Sequence, residues 1–140
     1  TDLIVGFPSE TEAEYEETLA AVRAIEYDSA FMFRYSVRPG TTAARYDDDV
    51  PEEDKIRRLN QLIALQQDIG YGRNQREVGT IRTALVEGSS RRDPGTLRAR
   101  TDGNKTVLFR SSGTQPGEII KIRINAADAF TLHGDLVTEN

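Results

Sequence analysis

The chain has 140 residues, 37% of them hydrophobic and 29% charged, with a net charge of −5, a single His and no Cys. That composition supports one modest core or two small ones and is too apolar for a disordered chain, while no apolar run approaches the roughly 20 residues needed to span a bilayer. Disulfides and thiolate metal sites are excluded, and His133 alone leaves nothing for a zinc site or a His-based triad.

Residues 1–8, TDLIVGFP, lack the basic segment that opens a signal peptide. The sequence starts inside what reads as a strand and has no initiator Met, which is expected of a piece of a longer protein. Residues 2–7 form a short β-branched run ended by Gly6 and Pro8. Ser9-Glu10-Thr11-Glu12 then reads as an S-x-x-E capping box, and the glutamates at 10, 12, 14, 16 and 17 give the helix start the charge its dipole prefers. Tyr15, Leu19, Val22 and Ile25 recur on one helical face through about Glu26. Residues 30–36 alternate as a second strand, with Phe31, Phe33 and Tyr35 on one face and Ala30, Met32, Arg34 and Ser36 on the other. Strand, helix and strand within 36 residues predict a parallel βαβ unit.

Residues 38–50 read as a loop, turned at Pro39-Gly40 and acidic over Asp47–Asp49. Pro51 opens a long helix with a face of Ile56, Leu59, Leu62 or Ile63, Gln66 and Ile69, weakened at Gly70 and Gly72 by about 1 kcal/mol each. The helical period fades near residues 75–79, and two modules are expected, 1–72 and 73–140. Charge divides the same way: residues 1–70 hold 7 basic and 15 acidic side chains, and residues 71–140 hold 11 and 8.

From Thr80 the period becomes strand-like. Five strands are expected at 80–87, 96–101, 105–110, 118–127 and 129–138, separated by Gly88-Ser-Ser, Asp93-Pro-Gly, Asp102-Gly-Asn and Gln115-Pro-Gly. Strands this short bury most as a closed, OB-like antiparallel barrel. Arg91, Arg92, Arg98, Arg100 and Lys105 place five cations within 15 residues, against only Asp93 and Asp102. These are the candidate phosphate contacts; an equally plain reading is a solvated barrel surface. With Phe109 and Phe130 as the only barrel aromatics, phosphate contact is expected to outweigh base stacking. In the first module the strand-end turn around Gly6, together with Ile4 and the polar face at Ser36, is the candidate small-ligand site. Gly6-Phe7-Pro8 as a mere tight turn is the competing reading.

Residues 1–50 resemble the final barrel segments of the radical-SAM methylthiotransferases, through Ile4-Val5-Gly6-Phe7-Pro8-Ser9-Glu10 and Tyr35-Ser36-Val37-Arg38-Pro39-Gly40-Thr41. Residues 85–109 resemble the TRAM domain of the tRNA-modifying branch, with its Ser90-Arg91-Arg92 loop, Arg98-x-Arg100-Thr101 turn and Asn104-Lys105-x-Val107-x-Phe109 strand. Ser9 stands where the family usually has Gly, Val37 where it has Pro, and Gly70 and Gly72 interrupt the connecting helix.

The resemblance implies an α/β plus all-β organisation: part of a radical-SAM barrel over 1–72 and a TRAM barrel over 73–140. It also implies a cytoplasmic transferase that adds a methylthio group at C2 of an isopentenylated adenosine beside the tRNA anticodon. S-adenosylmethionine and two [4Fe–4S] clusters would serve it, with the cluster cysteines upstream of this sequence. Ile4, Gly6 and Ser36 would then lie near the cofactor, and the barrel cations would hold the anticodon stem-loop. The sequence alone would be inactive, would hold no metal, and would bury its open barrel edge against another copy of itself. Two alternatives are a relative acting on a ribosomal protein, which a more acidic barrel would favour, and a nucleic-acid-binding module with no enzymatic parent.

Overall fold

A computed structural model describes residues 1–91 and 93–137. Two compact units divide at Gly70 and Tyr71. The first holds strand β1 (Asp2–Val5), helix α1 (Glu12–Ile25), strand β2 (Phe31–Arg34), a 3-10 turn at Ala43–Arg45 and most of helix α2 (Glu52–Gln75). β1 and β2 pair in parallel, Leu3 opposite Met32 and Ile4 opposite Phe33, as the βαβ reading requires. The inward row of Leu3, Val5 and Met32 packs on Tyr15, Leu19 and Val22 of α1 and on Leu59 and Leu62 of α2.

Three local expectations change. The N-cap of α1 is Thr11, not Ser9: its hydroxyl accepts from the Glu14 amide while the Glu14 carboxylate accepts from the Thr11 amide. The Thr11-x-x-Glu14 pattern starts two residues after Ser9-x-x-Glu12, and Ser9 is withdrawn from capping by its left-handed backbone, φ 69°. Large rings on one face of residues 30–36 and smaller or polar groups on the other suit a barrel strand with its rings against the helices, but Met32 turns to the helices while Phe31 and Phe33 are exposed. The buried face of α2 begins not at Ile56, which is exposed, but at Lys55 and Arg58. Arg58 meets Glu10 at 2.7 Å and Glu12 at 3.0 Å, and its charge lies 5.4 Å from the ring centre of Tyr15. Burial of a cation is tolerable only with such pairing.

The second unit is a closed barrel of β3 (Ile81–Ser89), β4 (Leu97–Thr101), β5 (Thr106–Phe109), β6 (Ile119–Ala127) and β7 (Leu132–Leu136), in the order β3-β4-β5-β7-β6. All pairings are antiparallel except β5 with β7, which is parallel. The expected all-antiparallel barrel is therefore corrected to a mixed one. Strands around a ring cannot alternate in direction when their number is odd, so a five-stranded closure must contain a parallel seam. The predicted final strand reached 138, a position outside the described residues.

Alternate residues fill the barrel: Ala84, Val86, Ala99, Val107, Phe109, Ile122, Ile124 and Leu132 are buried together. Small residues make room for the large ones. Gly134 is required at one crossing, since a Cβ there would sit 2.3 Å from the backbone oxygen of Arg123. Bulges at Val86/Gly88 and Ile124/Ala126 supply the bends that closure needs.

Candidate nucleic-acid interface

Because inward residues alternate with outward ones, Arg98 and Arg100 flank buried Ala99 and lie half-buried on the outer face of β4. Leu108 stands beside Arg98 on β5, and His133 beside Leu108 on β7. Two connections rise over this outer surface. The first, residues 90–96, is closed by Asp93, whose carboxylate accepts from the Thr96 hydroxyl at 2.7 Å and the Gly95 amide at 3.1 Å. The Thr96 bond leads in holding the Asp93 carboxyl below its usual range. The second, residues 128–131, is a turn built on Asp128. One carboxylate oxygen accepts from the Phe130 and Thr131 amides, both at 2.8 Å. Partial burial pulls the Asp128 carboxyl upward, but those two amides and His133 outweigh it, and the group rests low. The end of α2 grips the same turn: Asn74 donates to the Asp128 carbonyl at 2.9 Å and Gln75 to that of Ala127 at 2.8 Å.

Between the two connections lies an open groove of about 560 Å³, bordered by Arg91, Arg98, Leu108, Asp128 and Phe130. In barrels of this strand order the outer face of the second and third strands, with the loops between strands 1–2 and 4–5, is where oligonucleotides bind. β4 and β5 are those strands and residues 90–96 and 128–131 those loops.

The five predicted phosphate contacts are not equivalent. Arg91 is exposed at the groove and has no ion-pair partner among the described residues; Arg92 lies outside those residues. Arg98 also borders the groove, yet it shares one acid with Arg100. Glu87 stands 2.8 Å from Arg98 Nε and accepts from Arg100 Nε at 2.7 Å. The Arg100 hydrogen bond leads in lowering the Glu87 carboxyl. Lys105 turns to the hairpin end of the barrel and donates to Asn74 Oδ1 at 2.8 Å. Sequence reasoning therefore missed Glu87 as an internal counterion, and it missed the Asp128 turn, whose local signal is an Asp two residues before an exposed aromatic.

In the first unit, Ile4 and Ser36 line an open cleft of about 790 Å³ together with Phe7, Phe33, Tyr35 and Arg38. Gly6 is not among the lining residues; at φ 71° its amide donates to Glu10 at 2.9 Å, and a Cβ would fall 2.5 Å from Lys55 Cγ. The group that closes on Gly6 is thus the stem of Lys55, whose ammonium pairs with Asp48 at 2.6 Å. Among the described residues no group of three or more His, Asp or Glu side chains is arranged to hold a metal ion. Among the described residues no helix is long and apolar enough to cross a membrane.

Residues 75–137 match the model of the TRAM domain. Along nearly its full length the chain is also similar to curated proteins named tRNA-2-methylthio-N(6)-dimethylallyladenosine synthase. It is 47% identical to the one from Chlorobium luteolum over 135 residues, 96% of this chain and 30% of that protein. To that from Parabacteroides distasonis it is 46% identical, over 99% of this chain and 31% of the relative. The chain thus spans about a third of the length of the relatives it matches.

Proposed function

Because the chain belongs to the family of the tRNA-2-methylthio-N(6)-dimethylallyladenosine synthases and carries a TRAM domain, we propose that its barrel binds tRNA at the anticodon stem-loop for a radical-SAM methylthiotransferase. The observation that carries this reading is the groove of Arg91, Arg98 and Phe130, set between two hydrogen-bonded loops on the outer face of β4 and β5. Guanidinium groups on a rigid frame neutralise phosphates, and the released counterions supply affinity that falls with salt.

The reaction of the whole enzyme is read as replacement of hydrogen at C2 of N6-isopentenyladenosine by a methylthio group, in the cytoplasm. S-adenosylmethionine and two [4Fe–4S] clusters would supply its radical and sulfur chemistry. This chain contains no thiolate to hold a cluster, so its own part is to bind and position, and alone it would be inactive. Residues 1–72 would form part of the catalytic barrel wall, with Ile4 and Ser36 beside S-adenosylmethionine and Gly6 shaping the strand-end turn. Residues 73–140 would hold RNA, with Arg91, Arg92, Arg98 and Arg100 as the cationic set, while Lys105 is engaged by Asn74 at the hairpin end. Titration of a fluorescein-labelled anticodon stem-loop with the purified chain at several salt concentrations tests the reading. Binding that weakens with a log–log slope of about −2 is expected, at roughly −0.7 per phosphate. No salt-sensitive binding would remove it.

A further inference from the structure

We propose that Phe130 is a stacking platform for one unpaired base, and that it makes the groove select RNA carrying an unstacked nucleotide over continuous duplex. The inference rests on the RNA-binding reading above and deepens it. The ring of Phe130 is 72% exposed and belongs to neither hydrophobic core, whereas Phe109, the other barrel aromatic, is buried.

An exposed ring is ordinarily free to move with its loop. Here the loop backbone is tied on both sides of the ring: the Phe130 amide and the next are bound by Asp128, and Asn74 and Gln75 hold the carbonyls of Asp128 and Ala127. The backbone entropy of ordering a contact here is already spent in the free protein. Around the ring the groove offers what a nucleotide needs. Arg91 and Arg98 can meet its phosphates, and Leu108 gives an apolar floor. Asp128, among the described residues the one acid lining the groove, directs its carboxylate to its own turn and to His133, 3.5 Å away. Every base has a π-face, so such a platform is tolerant of sequence but requires a base that is not already stacked on both sides. Duplex RNA offers none within its length.

The test uses the full chain and its variants Phe130→Ala and Phe130→Trp, with a labelled anticodon stem-loop and a labelled blunt RNA duplex of equal phosphate number. Phe130→Ala should weaken stem-loop binding about tenfold or more with its salt slope unchanged, since no cation is lost. Duplex binding should stay within about twofold, and Phe130→Trp should retain stem-loop affinity. Thermal unfolding of each variant checks that the barrel is intact; should the alanine variant unfold, Phe130→Leu, which keeps the bulk but not the π-face, carries the same expectation. Stem-loop affinity unchanged in a folded alanine or leucine variant overturns this inference alone, as do equal losses on loop and duplex. Absence of salt-dependent binding by the wild-type chain overturns the RNA-binding reading and this inference together.

Discussion

Glu87 holds Arg98 and Arg100 at once, so the Glu87→Gln variant should bind RNA more tightly and with a steeper dependence on salt. In the wild-type barrel the trio of two guanidiniums and one carboxylate presents a net single positive charge. Added to Arg91 and Arg92, that amounts to about three neutralised phosphates and a slope of about −2.1. Glutamine removes the internal counterion, raising the number to about four and the slope to about −2.8. Between about 50 and about 200 mM salt, the loss of affinity should grow from about 20-fold to about 50-fold, whereas Arg91→Ala should reduce it to about sevenfold. The fold should survive, since partly exposed ion pairs contribute about 1 kcal/mol at most. Fluorescence anisotropy on a labelled stem-loop reads all three slopes. A glutamine variant with an unchanged or shallower slope would refute the reasoning, because Arg98 and Arg100 would then not be facing phosphate.

Gly6→Ala should lower stability by about 2 to 3 kcal/mol, combining a left-handed backbone cost of about 1 to 2 kcal/mol with displacement of the Lys55 stem. Gly40→Ala, at φ 87° with nothing within 4 Å, should show only the backbone cost, and equal midpoints in chemical denaturation would rule out the Lys55 contact. Glu12, Glu14 and Glu87 are held below the ordinary glutamate value, by Arg57, Thr11 and Arg100 foremost. A depressed folded-state pKa gives stability that is present above the unfolded value and lost below it, so the thermal midpoint should hold from about pH 7 to about pH 5 and fall further down. A midpoint that rises on acidification would contradict those pairings. The exposed face of β1 and β2, with Ile4, Phe31 and Phe33, should make the isolated chain self-associate; a monodisperse monomer in light scattering would count against it.

Where alternation and turn chemistry are local, the sequence reads directly into structure. The five barrel strands follow from runs such as Ile119–Ala127, and the βαβ unit follows from a β-branched run, a 3.6-residue stripe and a second run. What was hidden depends on partners distant in sequence. The parallel seam of β5 and β7 is a property of the closed ring and leaves no trace in either strand. Arg58 was invisible as a buried residue because its partners, Glu10 and Glu12, lie more than 40 positions away. The five cations clustered in sequence, yet register gave two of them to Glu87 and turned Lys105 to Asn74. Phe130 could be seen as aromatic, but not as an exposed ring on a backbone tied by Asp128.

The order of strands around the barrel bears on how the domain is made. β7 is the last barrel strand among the described residues but occupies the slot between β5 and β6. Until it emerges, the growing polypeptide can form only a four-stranded sheet running β5-β4-β3-β6, with bare edges on β5 and β6. Such edges are templates for pairing with other chains. During translation the domain is therefore most exposed to misassembly just before its final strand is added. A truncation before Leu132 should yield an aggregating sheet, because the missing strand is the keystone of the ring.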